Sequence, residues 1–395
     1  MKKTIILLLL TLVVSTFTHA QNDEHNDISD LLEKRQYLTA INKINSEQSE
    51  RDTPQLIDIK VQAVIEGFVQ SLNHKIFAFK DLEPNEDIYE LRRNGGEFNM
   101  VVGDLKEEVE EYIIKYPDSY YVYKAAGDYY ADVLLRYRDQ LEEYDYIDLY
   151  KLITANYEKS YSLGFTDISV ISSIGEYNLR MGNYDKCAKF YELSLEEDPR
   201  NASYNYNLSI AYQNLSNYEK AMIHSQIAIE EYENADYRAD SYNINAFQNR
   251  KLNRIDVAIE LYIQALQLNP DLFYSQTDLV DLFLQKKDFE NARTNFRNFF
   301  IRNINDFNKL QNLLKIYFKY EEVDRVHTIL TNLIESSDNN INIGTLYYHL
   351  GLIDNSIGNN AIPNLTNAKE YYLKELNEEE GIIKHIDNFI RDIDS

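Results

Sequence analysis

The chain has 395 residues, more than one hydrophobic core ordinarily supports, so it either divides into domains or grows by stacking units that touch only their neighbours. Apolar residues at 44% and charged residues at 27% exclude a largely disordered chain, and a formal net charge of −25 excludes the basic footprint that non-specific binding to nucleic acid or an anionic membrane needs. With 33 Tyr, no Trp and only 12 Gly, the composition predicts helices carrying aromatic knobs rather than a turn-rich sheet protein.

In chain order, the first element reads as an export signal: Lys2 and Lys3, an apolar run from Ile5 to Val14, and Thr18-His19-Ala20 as a small-residue cleavage site. The run is too short to span a bilayer and no later stretch of about 18 apolar residues follows. An exported protein without membrane insertion is expected, periplasmic or secreted after cleavage near Ala20. Cys187 is the sole cysteine, so the chain can form no internal disulfide and must be stabilised by packing.

Residues 21–104 carry a weak pattern without recognisable strand signals, which predicts degenerate helical repeats or an amino-terminal helical segment. Within it, Phe79-Lys80-Asp81-Leu82-Glu83-Pro84 has the form of a helix ending, 33 residues before Pro117. Residues 105–167 place Tyr123, Ala126, Gly127 and Tyr130 in a helical pattern, with Tyr137 to Tyr150 inserted; a lengthened helix pair is expected. From 168 to 306 the pattern sharpens. A shift of 34 residues lays Gly182-Asn183-Tyr184 over Ser216-Asn217-Tyr218, Cys187 over Ala221, and Ser194 over Ala228. Residues 307–380 keep the apolar skeleton: Phe307, Leu310, Leu314 and Tyr317, a turn near Glu321, then Val323, Val326, Leu330 and Leu333. Tyr347, Leu350 and Gly351 begin a last unit, interrupted around Asn359 to Asn364, and residues 381–395 form a capping helix.

These residues resemble the tetratricopeptide repeat. Its pattern has a small residue at the eighth position, Tyr at the eleventh, Gly-x-Tyr at the turn, Ala at the twentieth and twenty-seventh, an aromatic at the twenty-fourth and Pro at the thirty-second. The stretch from Ile168 matches with Gly175, Gly182, Tyr184, Tyr191 and Pro199, and that from Ala202 with Leu208, Tyr212, Tyr218, Ala221 and Ala228. After a three-residue slip, Ala239 opens a unit with Ala246, Ala258, Tyr262, Ala265 and Pro270, and Phe273 another with Leu279, Phe283, Phe289, Ala292 and Phe296. The resemblance, to the exported bacterial type, implies an all-α, right-handed α-solenoid of helix-turn-helix repeats. It also implies a non-enzymatic scaffold that binds a peptide or partner protein in its concave groove. The groove positions of the family fall on Ser203, Tyr206, Asn207 and Asn214; on Asp240, Asn243, Phe247, Arg250 and Lys251; on Tyr274 and Asp281; and on Gln311, Lys315 and Lys319. Of the family's set for clamping a carboxy-terminal carboxylate only Asn207 is present, with Ser172, Glu176, Asp240 and Ile244 at the other places, so that clamp is not expected.

The groove stretch is also where the acidic background relaxes: Arg250 to Arg325 holds twelve Lys and Arg against eleven Asp and Glu. No chemistry-bearing motif accompanies it. The seven histidines show no helical pairing for a metal, Gly95-Gly96 lacks the rest of a phosphate loop, and Cys187 sits where its counterpart is Ala221, as a small buried residue would. No cofactor and no nucleic acid are expected. The other reading is an enzyme or glycan-binding accessory protein with its site in the amino-terminal segment, Asp23 to Asn99; glycan platforms lean on Trp, which the chain lacks.

Overall fold

The computed structural model describes residues 25–136 and 145–394, apart from positions 49, 73 and 305. The export segment and residues 137–144 of the expected insertion lie outside the described residues. The chain divides into two compact parts at His224/Ser225.

The amino-terminal part opens with the pair α1 (Asn26–Glu33) and α2 (Tyr37–Glu47). There follow α3 (Pro54–Gly67), β1 (Phe68–Leu72), β2 (Ile76–Phe79), α4 (Ile88–Asn94), β3 (Asn99–Val102) and α5 (Leu105–Lys115). Because α5 packs on α3, these two helices form a second pair with the strands inserted between them. The pairs α6 (Tyr120–Arg136) with α7 (Tyr146–Ser162) and α8 (Ile168–Arg180) with α9 (Tyr184–Glu197) come next, then α10 (Ala202–Asn214) and α11 (Tyr218–Glu231), the helix in which the division falls. The carboxy-terminal part continues with α12 (Ala235–Lys251) and α13 (Ile255–Leu268), α14 (Phe273–Gln285) and α15 (Phe289–Arg302), and α16 (Phe307–Lys319) and α17 (Val323–Glu335). It closes with α18 (Asn340–Ser356), α19 (Ile362–Tyr372) and α20 (Gly381–Asp394). The fold is thus an α-solenoid of consecutive helix pairs, as expected. None of the described helices is long and apolar enough to cross a membrane.

One turn closes most first helices. Arg35, Gly182, Ser216, Asn253, Lys287, Glu321 and Gly358 all have φ between 59° and 77°. After each, the next amide donates to the carbonyl five residues back, as Asn183 does to Asn178 and Asp288 to Phe283, both at 2.8 Å. This left-handed closure satisfies carbonyls that the helix leaves open and sends the chain back antiparallel. It recurs every 34 residues from Gly182 to Ser216 and from Asn253 through Lys287 to Glu321. The two longer steps, to Asn253 and to Gly358, are taken up by first helices of 17 residues, α12 and α18, against 13 in α10 and α14. The three-residue slip in the sequence is therefore an extra helical turn.

Small residues sit under rings across several of the pairs. A Cβ on Gly127 would lie 2.3 Å from the Tyr157 ring, and one on Gly175 or Gly344 would lie 3.1 Å from Tyr191 or Tyr372. The glycines let the paired helices approach, and the rings fill the space between. Where the repeat pattern expects an aromatic at Ser225, a buried polar network stands instead. Ser225 donates to Gln248 at 2.7 Å and accepts from Asn245 at 2.9 Å.

The inserted strands correct the expectation of an entirely helical 21–104 segment. They form an antiparallel sheet in the order β1-β2-β3, with Phe68 opposite Phe79 and Ile76 opposite Val102. Phe68, Phe77 and Phe79 are buried in the same core as Val64 and Leu105, while Met100 and Val102 face solvent. Phe, Val and Ile on a pleated, half-buried surface explain the preference for strand. Pro84, read as following a helix, follows β2 and the isolated bridge of Asp81 with Gln36.

Candidate functional site

In the carboxy-terminal part the first helices of three successive pairs, α12, α14 and α16, are tied side by side through their polar side chains. The Ser275 hydroxyl donates to Asn243 at 2.7 Å. Arg250 donates to Asp278 at 2.7 Å and also bonds Asp281, whose other oxygen accepts from Lys319 at 2.7 Å. Tyr262 from α13 donates to the second oxygen of Asp278 at 2.6 Å. Burial opposes the charge on Arg250, but Asp278 and Asp281 outweigh it and raise its pKa. Two of the cations assigned to the groove are therefore spent on carboxylates within the fold.

The other assigned residues of this part divide by exposure. Phe247 is half-buried with the Lys251 ammonium 5.1 Å from its ring centroid, a contact one turn along the same helix. Tyr274 is 71% exposed, its ring 5.3 Å from that of Phe273. Lys315 is exposed and Gln311 half-buried, and neither makes a side-chain hydrogen bond or ion pair among the described residues. Of the four residues assigned in the amino-terminal part, Ser203 is half-buried, Asn207 donates to the Tyr191 hydroxyl at 2.8 Å, and Asn214, exposed, donates to its own helix at Ile210. Tyr206 is half-buried.

A second site was not anticipated from the sequence. In the amino-terminal part a cleft of about 210 Å³ opens between the first helices α3, α6 and α8, with Tyr157 of α7 in its wall. Lys124 lines it, 2.9 Å from Asp58 and 2.8 Å from Asp128, and Tyr157 donates to Asp128 at 2.7 Å. Arg136 pairs with Asp132 at 2.8 Å. Burial raises the pKa of Glu66, with Lys124 pulling it down and Asp128 pushing it up. Burial likewise raises that of Asp58 against the pull of Lys124. The one available signal was the Lys124–Asp128 pair, set at helical spacing within the otherwise apolar stripe of α6 formed by Val122, Ala125, Ala126, Tyr129 and Val133.

Cys187 is fully buried, and burial pushes its thiol up to about 12, so it is neutral and poorly nucleophilic. Among the described residues no group of three or more His, Cys, Asp or Glu side chains is placed to hold a metal ion.

The family model described as Tetratricopeptide repeat matches residues 169–201, the α8–α9 pair with its flanking turns. No curated protein sequence matches the chain. Solved structures resemble it over longer stretches. A tetratricopeptide repeat protein from Parabacteroides merdae ATCC 43184 is 13% identical with a TM-score of 0.42, over 66% of this chain and 97% of that one. PilF of Pseudomonas aeruginosa is 14% identical with a TM-score of 0.40, over 56% and 96%. The first tetratricopeptide domain of Spaghetti (RPAP3), bound to an HSP90 peptide, is 23% identical with a TM-score of 0.27, over 29% and 89%.

Proposed function

We propose that this tetratricopeptide-repeat protein is an exported, non-enzymatic scaffold that holds an extended segment of a partner protein along the first helices α12, α14 and α16. The observation that carries this reading is Tyr274, a large aromatic left 71% exposed on a helix face where Arg250 and Lys319 are already paired with Asp278 and Asp281. The exposed ring of Tyr274, the half-buried Phe247 and the unpaired Lys315, one on each of the three first helices, offer apolar contacts and a cation, which suits an extended peptide. Arg250 belongs to the frame of this face. Export rests on the segment from Lys2 to Ala20; recovery of the chain only from the cytoplasm, rather than outside it with Gln21 as first residue, would overturn that part.

The test uses the full chain as bait in extracts of its own source. Replacing Phe247, Tyr274 and Lys315 together by Ala should abolish capture of its partner with helicity and melting unchanged, whereas Ala at the outer Glu196 and Glu197 should leave capture intact, because exposed rim charges mainly tune rates. Equal capture by the triple variant would sink the assignment of this face.

A further inference from the structure

We infer that the cleft between α3, α6 and α8 is a binding site for an alkyl-linked monocation, an ammonium or guanidinium on an apolar stem. The cleft is separate from the α12–α16 face and stands on its own residues. Four carboxylates, Glu66, Asp128, Asp132 and Asp167, line it against two cations, Lys124 and Arg136. Both cations are already paired, Lys124 with Asp58 and Asp128, and Arg136 with Asp132. The groups left over are acceptors. The Glu66 carboxylate makes no hydrogen bond or ion pair among the described residues, and the Gln62 side chain uses only its amide nitrogen, donating to Asp58 at 3.2 Å. Tyr177 is only 8% exposed, lines the cleft, and its hydroxyl has no hydrogen-bond partner among the described residues. The hydroxyl opens onto the cleft, where it can accept from a ligand donor. Ile65, Ala131, Leu135 and Val170 supply an apolar wall for the stem. At about 210 Å³ the space is more than ten times what a single water needs, ~15 Å³.

The cation can come from an Arg or Lys side chain of a peptide or from a free amine, and the probes separate the two. Saturation-transfer NMR on the full chain would use the blocked tripeptides acetyl-Gly-Arg-Gly-amide and acetyl-Gly-Lys-Gly-amide, the free monoamines n-butylamine and n-pentylamine, and acetyl-Gly-Gln-Gly-amide as the neutral control. At least one cationic probe should bind and the Gln peptide should not; binding of the peptides assigns the side-chain source, and binding of the free amines alone assigns the small-molecule source. Glu66→Gln should weaken binding about tenfold or more, the loss expected for a charged hydrogen-bond acceptor. Tyr177→Phe, which keeps the ring, should weaken it severalfold with melting unchanged, and decides the matter if Glu66→Gln fails to fold. No binding of any cationic probe, equal binding of the Gln peptide, or unaltered affinity in the folded variants would overturn the site. Failure here leaves partner capture by the α12–α16 face unaffected, so the two readings fail separately.

Discussion

His349 shows how one buried side chain sets a pH limit. It is fully buried in α18, with the Phe300 ring 5.5 Å and the Tyr348 ring 6.0 Å away, and burial lowers its pKa to about 4 from 6.5. The folded state therefore keeps the imidazole neutral, while the unfolded state takes up a proton below its ordinary pKa. The sign follows: the contribution is complete above about pH 6.5, is lost as pH falls through the interval down to about pH 4, and is level below that. Between about pH 7.5 and about pH 4.5 the loss amounts to roughly 2–3 kcal/mol from this one group. His349→Leu should lose about that much less than the parent chain when urea midpoints are compared at the two pH values. Equal losses would mean that the ring is hydrated and titrates normally.

At the scale of the element, the left-handed turn that closes most first helices separates what the sequence shows from what it hides. Gly182 takes the conformation without steric cost, and its alignment over Ser216 was legible as a repeat. Lys287 and Glu321 hold the same φ of 59°, where a Cβ costs about 1 kcal/mol or more, so the turn persists there because the pairs on either side enforce it. Lys287 is exposed, and Lys287→Gly should raise stability by about 0.5–1 kcal/mol in chemical denaturation, the relief of strain exceeding the added freedom of the unfolded chain. A loss of stability would show that this closure is not left-handed. The sheet escaped notice for a related reason. The apolar residues of α3, among them Val61, Ala63 and Val64, are separated from Phe68 and Val69 only by Ile65, Glu66 and Gly67, and short apolar runs do not distinguish a buried strand from a helix turn. The cleft was less legible still, because its lining spans Gln62 to Tyr177 and only the pairing of distant helices assembles it.

For the molecule as a whole, the cores are local. Residues from Ile28 to Phe190 and from Cys187 to Ala221 form two clusters in the amino-terminal part, and those from Ala246 to Ile353 and from Tyr348 to Ile386 form two in the carboxy-terminal part. In a chain whose pairs are stabilised by their neighbours, damage to one pair should spread to adjacent pairs and fade with distance. Gly127→Ala is a suitable perturbation, since the added methyl would lie 2.3 Å from the fully packed Tyr157 ring and must push α6 and α7 apart. Overpacking of this kind costs about 1–3 kcal/mol. Tyr157 also holds Asp128, so the shift should loosen the Lys124 cluster that ties α3 to α6. Hydrogen exchange should then show lost protection in α3, α6, α7 and α8, while the amides of α14 to α17 exchange at the rates of the parent chain. Uniform loss across all of these helices would mean that the chain unfolds as one cooperative body and that the pairwise account of its stability is wrong.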